Sequence, residues 1–151
     1  YFFSEQLKVA QEYDLPVILH VRSAIDDVLK HLRRVKVRGG IAHAFNGSMQ
    51  QAEVFIEMGF KLGFGGAMTY PRALKIRELA KNLPLETIVL ETDAPDMPPV
   101  WLEKRERNSP FELLEIAETL AGLRRIPVSQ IIEITQENIE RVFPKIGCLY
   151  T

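Results

Sequence analysis

The sequence predicts an α/β fold built on a parallel sheet covered on both faces. Three observations carry that reading. Four short segments are apolar along their whole length, amphipathic stretches of helical period alternate with them, and polar residues gather where the apolar segments end. From His20 to His43 is 23 residues, from His43 to Gly65 is 22, and from Gly65 to Asp93 is 28. Each step suits one strand–helix unit with short loops.

The first element is a helix. Phe3, Leu7, Ala10 and Tyr13 fall on one helical face, with Ser4, Glu5, Gln6, Lys8, Gln11 and Glu12 around the other. Domains usually open on a polar, frayed lead-in. Here the pattern begins at Tyr1, so further residues upstream are expected. The first strand is Pro16-Val17-Ile18-Leu19, ending in His20, and an amphipathic helix follows from about Ser23 to Arg34. A second strand, Gly40-Ile41-Ala42, ends in His43, and the next helix runs from about Ser48 to Met58. The third strand, Phe60 to Phe64, ends in Gly65-Gly66. A helix from about Pro71 to Lys81 leads to the fourth strand, Ile88-Val89-Leu90, which ends in Glu91-Thr92-Asp93. Two last helices cover about Pro110 to Leu123 and Val128 to Val142, the second bracketed by Pro127 and Pro144. The loop from Ala94 to Ser109 is the long irregular one, and long loops on compact domains more often carry function.

With 151 residues, the chain has room for one domain. Four strand–helix units amount to about half of a (β/α)8 barrel of roughly 250 residues, so residues 1–151 read as a single partial domain. An open doubly wound sheet is the competing architecture. Nineteen basic against 20 acidic residues give a net charge of −1, which excludes a basic nucleic-acid coat or a polycationic membrane binder but not a local basic groove. One cysteine, Cys148, cannot form an intrachain disulfide, which points to a reducing compartment. No apolar run approaches the ~18 residues of a membrane span, and a cytoplasmic protein without a membrane partner is expected.

His20, His43 and Asp93 each stand at the C-terminal end of a predicted strand, where both architectures bind ligands. Each alone reads as a hydrogen-bonded strand-end residue. Together, two imidazoles and a carboxylate suit a divalent metal ion. Glu91 shares a strand face with Asp93 while Thr92 points away, so Glu91 lies one layer below. The preferred reading of Glu91 is a buried carboxylate satisfied by backbone and Arg; its functional reading is an orienting partner behind the ligands. Arg22 follows His20 closely enough to reach the same mouth as a phosphate fork. His31, between basic neighbours in mid-helix, reads as solvated. Gly63 to Gly66 is either a phosphate cradle or a place of close strand packing. Arg33, Arg34, Lys36 and Arg38 sit at the end away from the site. Arg72, Lys75, Arg77, Lys104, Arg105 and Arg107 follow strands and form a basic rim suited to a polyanion. Trp101 either stacks on a base or anchors its Pro-rich loop.

Four stretches read together resemble the TatD-type metal-dependent deoxyribonucleases of the amidohydrolase barrel superfamily. They are Pro16-Val-Ile-Leu-His-Val-Arg22, Ile41-Ala-His-Ala-Phe-Asn-Gly-Ser48, Gly63-Phe-Gly-Gly-Ala-Met-Thr-Tyr-Pro71 and Val89-Leu-Glu-Thr-Asp-Ala-Pro-Asp96. Leu83-Pro-Leu-Glu86 and Thr135-Gln-Glu-Asn-Ile-Glu-Arg-Val-Phe143 fit as well. The Thr-Tyr-Pro-Arg run and Asp-Met-Pro-Pro are most similar to the YjjV-like branch.

The resemblance implies a TIM-type barrel of which this chain holds strands five to eight and the C-terminal helices. It implies that His20 and His43 are the metal histidines after the fifth and sixth strands. Asp93 is then the aspartate after the eighth, which binds metal and takes a proton from the attacking water. Arg22, Arg72 and Trp101 are the candidate substrate contacts, and Asn108-Ser-Pro110 is similar to a segment that closes the last loop. The implied cofactor is a divalent ion, with Mg, Mn and Zn not separable on two His and one Asp. The implied substrate is DNA or another phosphodiester. Family members also carry a His-x-His pair after the first strand and a glutamate after an earlier one, and neither is in this sequence. The chain alone is therefore expected to be incomplete and inactive, needing the missing half or a second chain. The alternative is a non-catalytic half-barrel that folds or interacts by self-association.

Overall fold

Strands β1 (Val17–His20), β2 (Gly40–His43), β3 (Phe60–Phe64) and β4 (Ile88–Leu90) lie side by side in chain order, all parallel. The computed structural model describes residues 1–102 and 106–144, so Lys104, Arg105 and Cys148 fall outside the described residues. Helices α1 (Phe2–Glu12), α2 (Ile25–Arg34), α3 (Met49–Glu57) and α4 (Leu74–Asn82) fall before and between the strands. Helices α5 (Leu113–Arg124) and α6 (Val128–Val142) follow the last one.

The pairing register fixes which side chains share a face. Leu19, Ala42, Leu62 and Ile88 are in line across the sheet, and all are buried in one core with Leu7, Leu29, Phe55, Leu79, Ile116 and Ile131 from the six helices. Alternation puts Ile18, His20, Ile41, His43, Lys61, Gly63 and Val89 on the opposite face. That face mixes apolar residues with His20, His43 and Lys61, and among the described residues it is thinly covered. Only Ile41 and Val89 are packed, against Ile139, Val142 and Phe143 at the end of α6, while Ile18 is 64% exposed. The expectation of cover on both faces is thus corrected. With the described helices packed on one side, save the end of α6, and no reversal of strand order, the doubly wound alternative is overturned as well. A sheet wrapped this way is half of a (β/α)8 barrel, and its open face is the barrel interior.

Local chemistry explains the element boundaries. Ser48 caps α3 with a reciprocal pair, accepting from the Gln51 N–H while the Gln51 side chain accepts from the Ser48 N–H. Helix α4 begins at Leu74 rather than Pro71, and a 3-10 turn over Gly66–Thr69 that no periodicity announced occupies the chain before it. Tyr13, expected on the buried side of α1, lies just past its end and is 65% exposed. His31 is not simply solvated. Its Nδ1 is 2.9 Å from the Ser4 hydroxyl and its ring meets the Phe3 ring edge-on, tying α1 to α2.

Candidate metal centre

The end of β2 and the segment after β4 bring three ionisable side chains together. His43 Nδ1 lies 3.0 Å from Glu91 Oε2, and His43 Nε2 lies 2.8 Å from Asp93 Oδ1. Their side chains are 17%, 15% and 25% exposed, so the group is largely shielded from water. Glu91 Oε1 also accepts the Ala44 N–H at 2.5 Å. Burial pushes the Glu91 carboxyl above its ordinary range, and His43 and the Ala44 N–H pull it back.

Two features of the chain make room for this. Gly63, in the middle of β3, faces Glu91, and a Cβ there would lie 1.9 Å from Glu91 Oε2. Ala44 adopts φ +47, unusual for a residue with a Cβ, immediately after His43. Its N–H is thereby spent on Glu91.

A neutral imidazole carries one N–H. With Nδ1 donating to Glu91, the Nε2 lone pair faces the Asp93 carboxylate, and two acceptors at 2.8 Å repel unless positive charge joins them. A proton on Nε2 meets that need, and so does a cation bound by both atoms. The carboxylate behind the other ring nitrogen is the usual support of a metal-binding histidine. The donor set therefore fits a divalent ion held by His43 and Asp93 with Glu91 behind.

His20 stands beside this group rather than within it. It pairs with His43 in the sheet, the ring centroids are 5.5 Å apart and tilted by 32°, and His20 is exposed. Among the described residues no three His, Cys, Asp or Glu side chains converge as a finished metal cluster. Glu91 has the backbone partner expected of it, but its charged neighbour is His43 where an Arg was expected.

A cavity bounded by Asn46, Gly65, Glu91, Thr92, Asp93 and Met97 opens beside these groups. Thr92, expected to point away, helps to line this cavity, and its hydroxyl accepts the Ala94 N–H at 3.1 Å. Asn108 is buried under the same loop and donates to Asp96 O at 2.5 Å. Gly66 packs against the backbone of Met97 to Pro99, so the glycine cluster serves close packing here. On the rim, Arg22 and Arg72 are exposed, and Arg72 lies over the Tyr70 ring at 5.8 Å. Lys75 and Arg77 are engaged with the carbonyls of Asn46 and Met68. Trp101 is partly buried against the core and donates its indole N–H to Glu112 at 2.8 Å, the arrangement of a loop anchor. Sequence reasoning missed Ala44, whose backbone conformation leaves no mark in the sequence, and the space-making role of Gly63, whose place inside a strand is a signal.

Residues 1–144 match the family model described as TatD-related DNase. The chain belongs to this family. The metal-dependent hydrolase YjjV of Escherichia coli, described as uncharacterized, is 44% identical over 144 residues, which cover 95% of this chain and 55% of that protein. The crystal structure of the Escherichia coli YjjV TatD homologue superposes with a TM-score of 0.87 over 93% of this chain and 54% of that one, at 45% identity. A Rahnella protein named 3'-5' ssDNA/RNA exonuclease TatD is 32% identical over 147 residues, covering 93% of this chain and 56% of its own length. The chain thus spans about half the length of the curated TatD relatives it matches.

Proposed function

We propose that this chain supplies one half of the active site of a metal-dependent hydrolase that cleaves phosphodiester bonds in nucleic acid. It would be the C-terminal half of a single barrel domain, in a cytoplasmic protein. The observation that carries the reading is His43 held between Glu91 and Asp93 at the C-terminal end of the sheet. The printed names of the relatives support it, metal-dependent hydrolase for one and exonuclease for another.

In this reading His43 Nε2 and Asp93 hold the divalent ion, with His20 next to them on the neighbouring strand. Such an ion lowers the pKa of water and stabilises charge building on the phosphate oxygens. Glu91 fixes the tautomer and ring orientation of His43. Asp93 would accept the proton of the attacking water while the water oxygen bonds to phosphorus and the P–O bond to the leaving sugar oxygen breaks, that oxygen taking up a proton from solvent. Arg22 and Arg72, exposed beside the mouth, draw the flanking phosphates. Trp101, partly buried and bonded to Glu112 through its indole N–H, is the third candidate substrate contact.

The test is Asp93→Asn in the full-length protein. Metal-dependent release of nucleotides from a DNA end falls by at least about 10²-fold, the scale on which a positioned proton acceptor acts. Undiminished metal-dependent cleavage sinks the mechanism. A second reading, a non-catalytic half-barrel that self-associates, is favoured by the exposure of Ile18 on the open face, 64%. Sedimentation of the 151-residue chain as a strict monomer at all concentrations counts against it.

A further inference from the structure

A second polar cavity, of about 220 Å³, lies at the other end of the sheet, where the strands begin. Arg38, Lys61 and Arg141 line it together with Gly39, Gly40 and Gly59, and no acidic side chain does. The carboxylates that accompany these cations stand outside. Arg141 pairs with Glu137 at 2.9 Å along the exposed side of α6. Arg38 is 3.7 Å from Asp14, whose side chain is 81% exposed. Such exposed pairs offset the charge of Arg141 and Arg38 only in part, because they are open to water and screened by salt.

Lys61 is the unusual member. It lies on the inner face of β3, partly buried, and makes no ion pair among the described residues. Its ammonium donates to the Glu86 carbonyl at 2.7 Å, which uses one of its three N–H groups. Burial and the nearby Arg141 both push its pKa below the ordinary lysine value, against a smaller opposing pull from Glu86. Three cations thus surround one cavity whose described lining holds no carboxylate, and Lys61 among them has no ion-pair partner among the described residues, so an anion placed there would meet positive charge from three sides.

We propose that this cavity is an anion site that takes a phosphate group, held by Lys61 and Arg141 with Arg38 at the rim. A multiply charged oxyanion matches three cations better than a single carboxylate, and arginine forks suit its geometry. The site is separate from His43 and Asp93, which stand at the opposite strand ends, and does not depend on the hydrolase reading.

The test is calorimetric titration of the metal-free chain with inorganic phosphate at fixed ionic strength, with acetate as the carboxylate control. Phosphate binds and acetate does not. Lys61→Met and Arg141→Gln each weaken binding by about tenfold or more, as expected for a lost charge-assisted contact. Full retention of phosphate binding in both Lys61→Met and Arg141→Gln would place the anion elsewhere on the molecule and overturn the proposal. Absence of binding, or equal binding of acetate, overturns it too. Should Lys61→Met fail to fold, Arg141→Gln on the exposed side of α6 decides alone.

Discussion

Gly63 shows how one missing methyl group makes room for the cluster of His43, Glu91 and Asp93. Its backbone lets Glu91 lie flat across β3 and reach both His43 and the Ala44 N–H. Gly63→Ala is expected to cost about 1–3 kcal/mol by overpacking and to displace Glu91 from His43. The readouts are urea unfolding and metal affinity of the full-length protein. Glu91→Gln keeps the shape but removes the charge behind His43, and metal affinity falls by about 10–100-fold. Isothermal titration with a divalent ion checks it. At this scale the ligand candidates were legible because polar residues at strand ends stand out against apolar strands. Ala44 was not legible, because a left-handed φ at a non-glycine residue is imposed by the surrounding fold. The counter-group of Glu91 was misread for a related reason. Spacing tells which face a carboxylate occupies, not which neighbour rotates to meet it.

Elements are held in place by a few polar pins. Asn138 on α6 is fully buried and donates to the carbonyls of Leu85 at 2.9 Å and Ile88 at 2.8 Å, fixing α6 against the start of β4. Asn138→Ala leaves both carbonyls unpaired in the core and is expected to cost about 2–4 kcal/mol, read as a lower midpoint in urea. Ser48→Ala removes half of the capping box of α3 and costs about 1 kcal/mol. Lys61 gives a pH test. Its folded pKa lies below the ordinary 10.5, so the charged form destabilises the native state. Above the folded value the native state releases its proton first, and stability rises with pH until 10.5 is passed. The stability advantage of Lys61→Met over the parent chain is therefore full near neutral pH and shrinks as pH climbs toward 10.5. Paired unfolding curves measure it. Strands and long helices were legible from periodicity, whereas the 3-10 turn at Gly66–Thr69 was not, since four residues are too few to show a period.

At the scale of the molecule, the sheet has one finished face and one open one. The parallel direction of the four strands followed from apolar runs alternating with helices, whereas their order followed only from the family resemblance, because alternation alone left a doubly wound sheet open. The bareness of the inner face was expected from the half-barrel reading but not from the strand pattern, because apolar runs alone do not tell a barrel interior from a helix-covered face. Ile18→Asp on that face is expected to change the stability of the 151-residue chain by less than about 0.5 kcal/mol, the range of ordinary surface substitutions, and to reduce any concentration-dependent association seen by light scattering.

The two outer strands have a further consequence. Among the described residues β1 and β4 are each paired on one side only, and they run in the same direction. The free edge of β4 on one copy can therefore meet the free edge of β1 on another without reversing the sheet. Two such junctions close a ring; one junction repeated without closure grows a fibre. Which of them forms is set by curvature alone, so a small change in sheet twist separates a discrete particle from a gel.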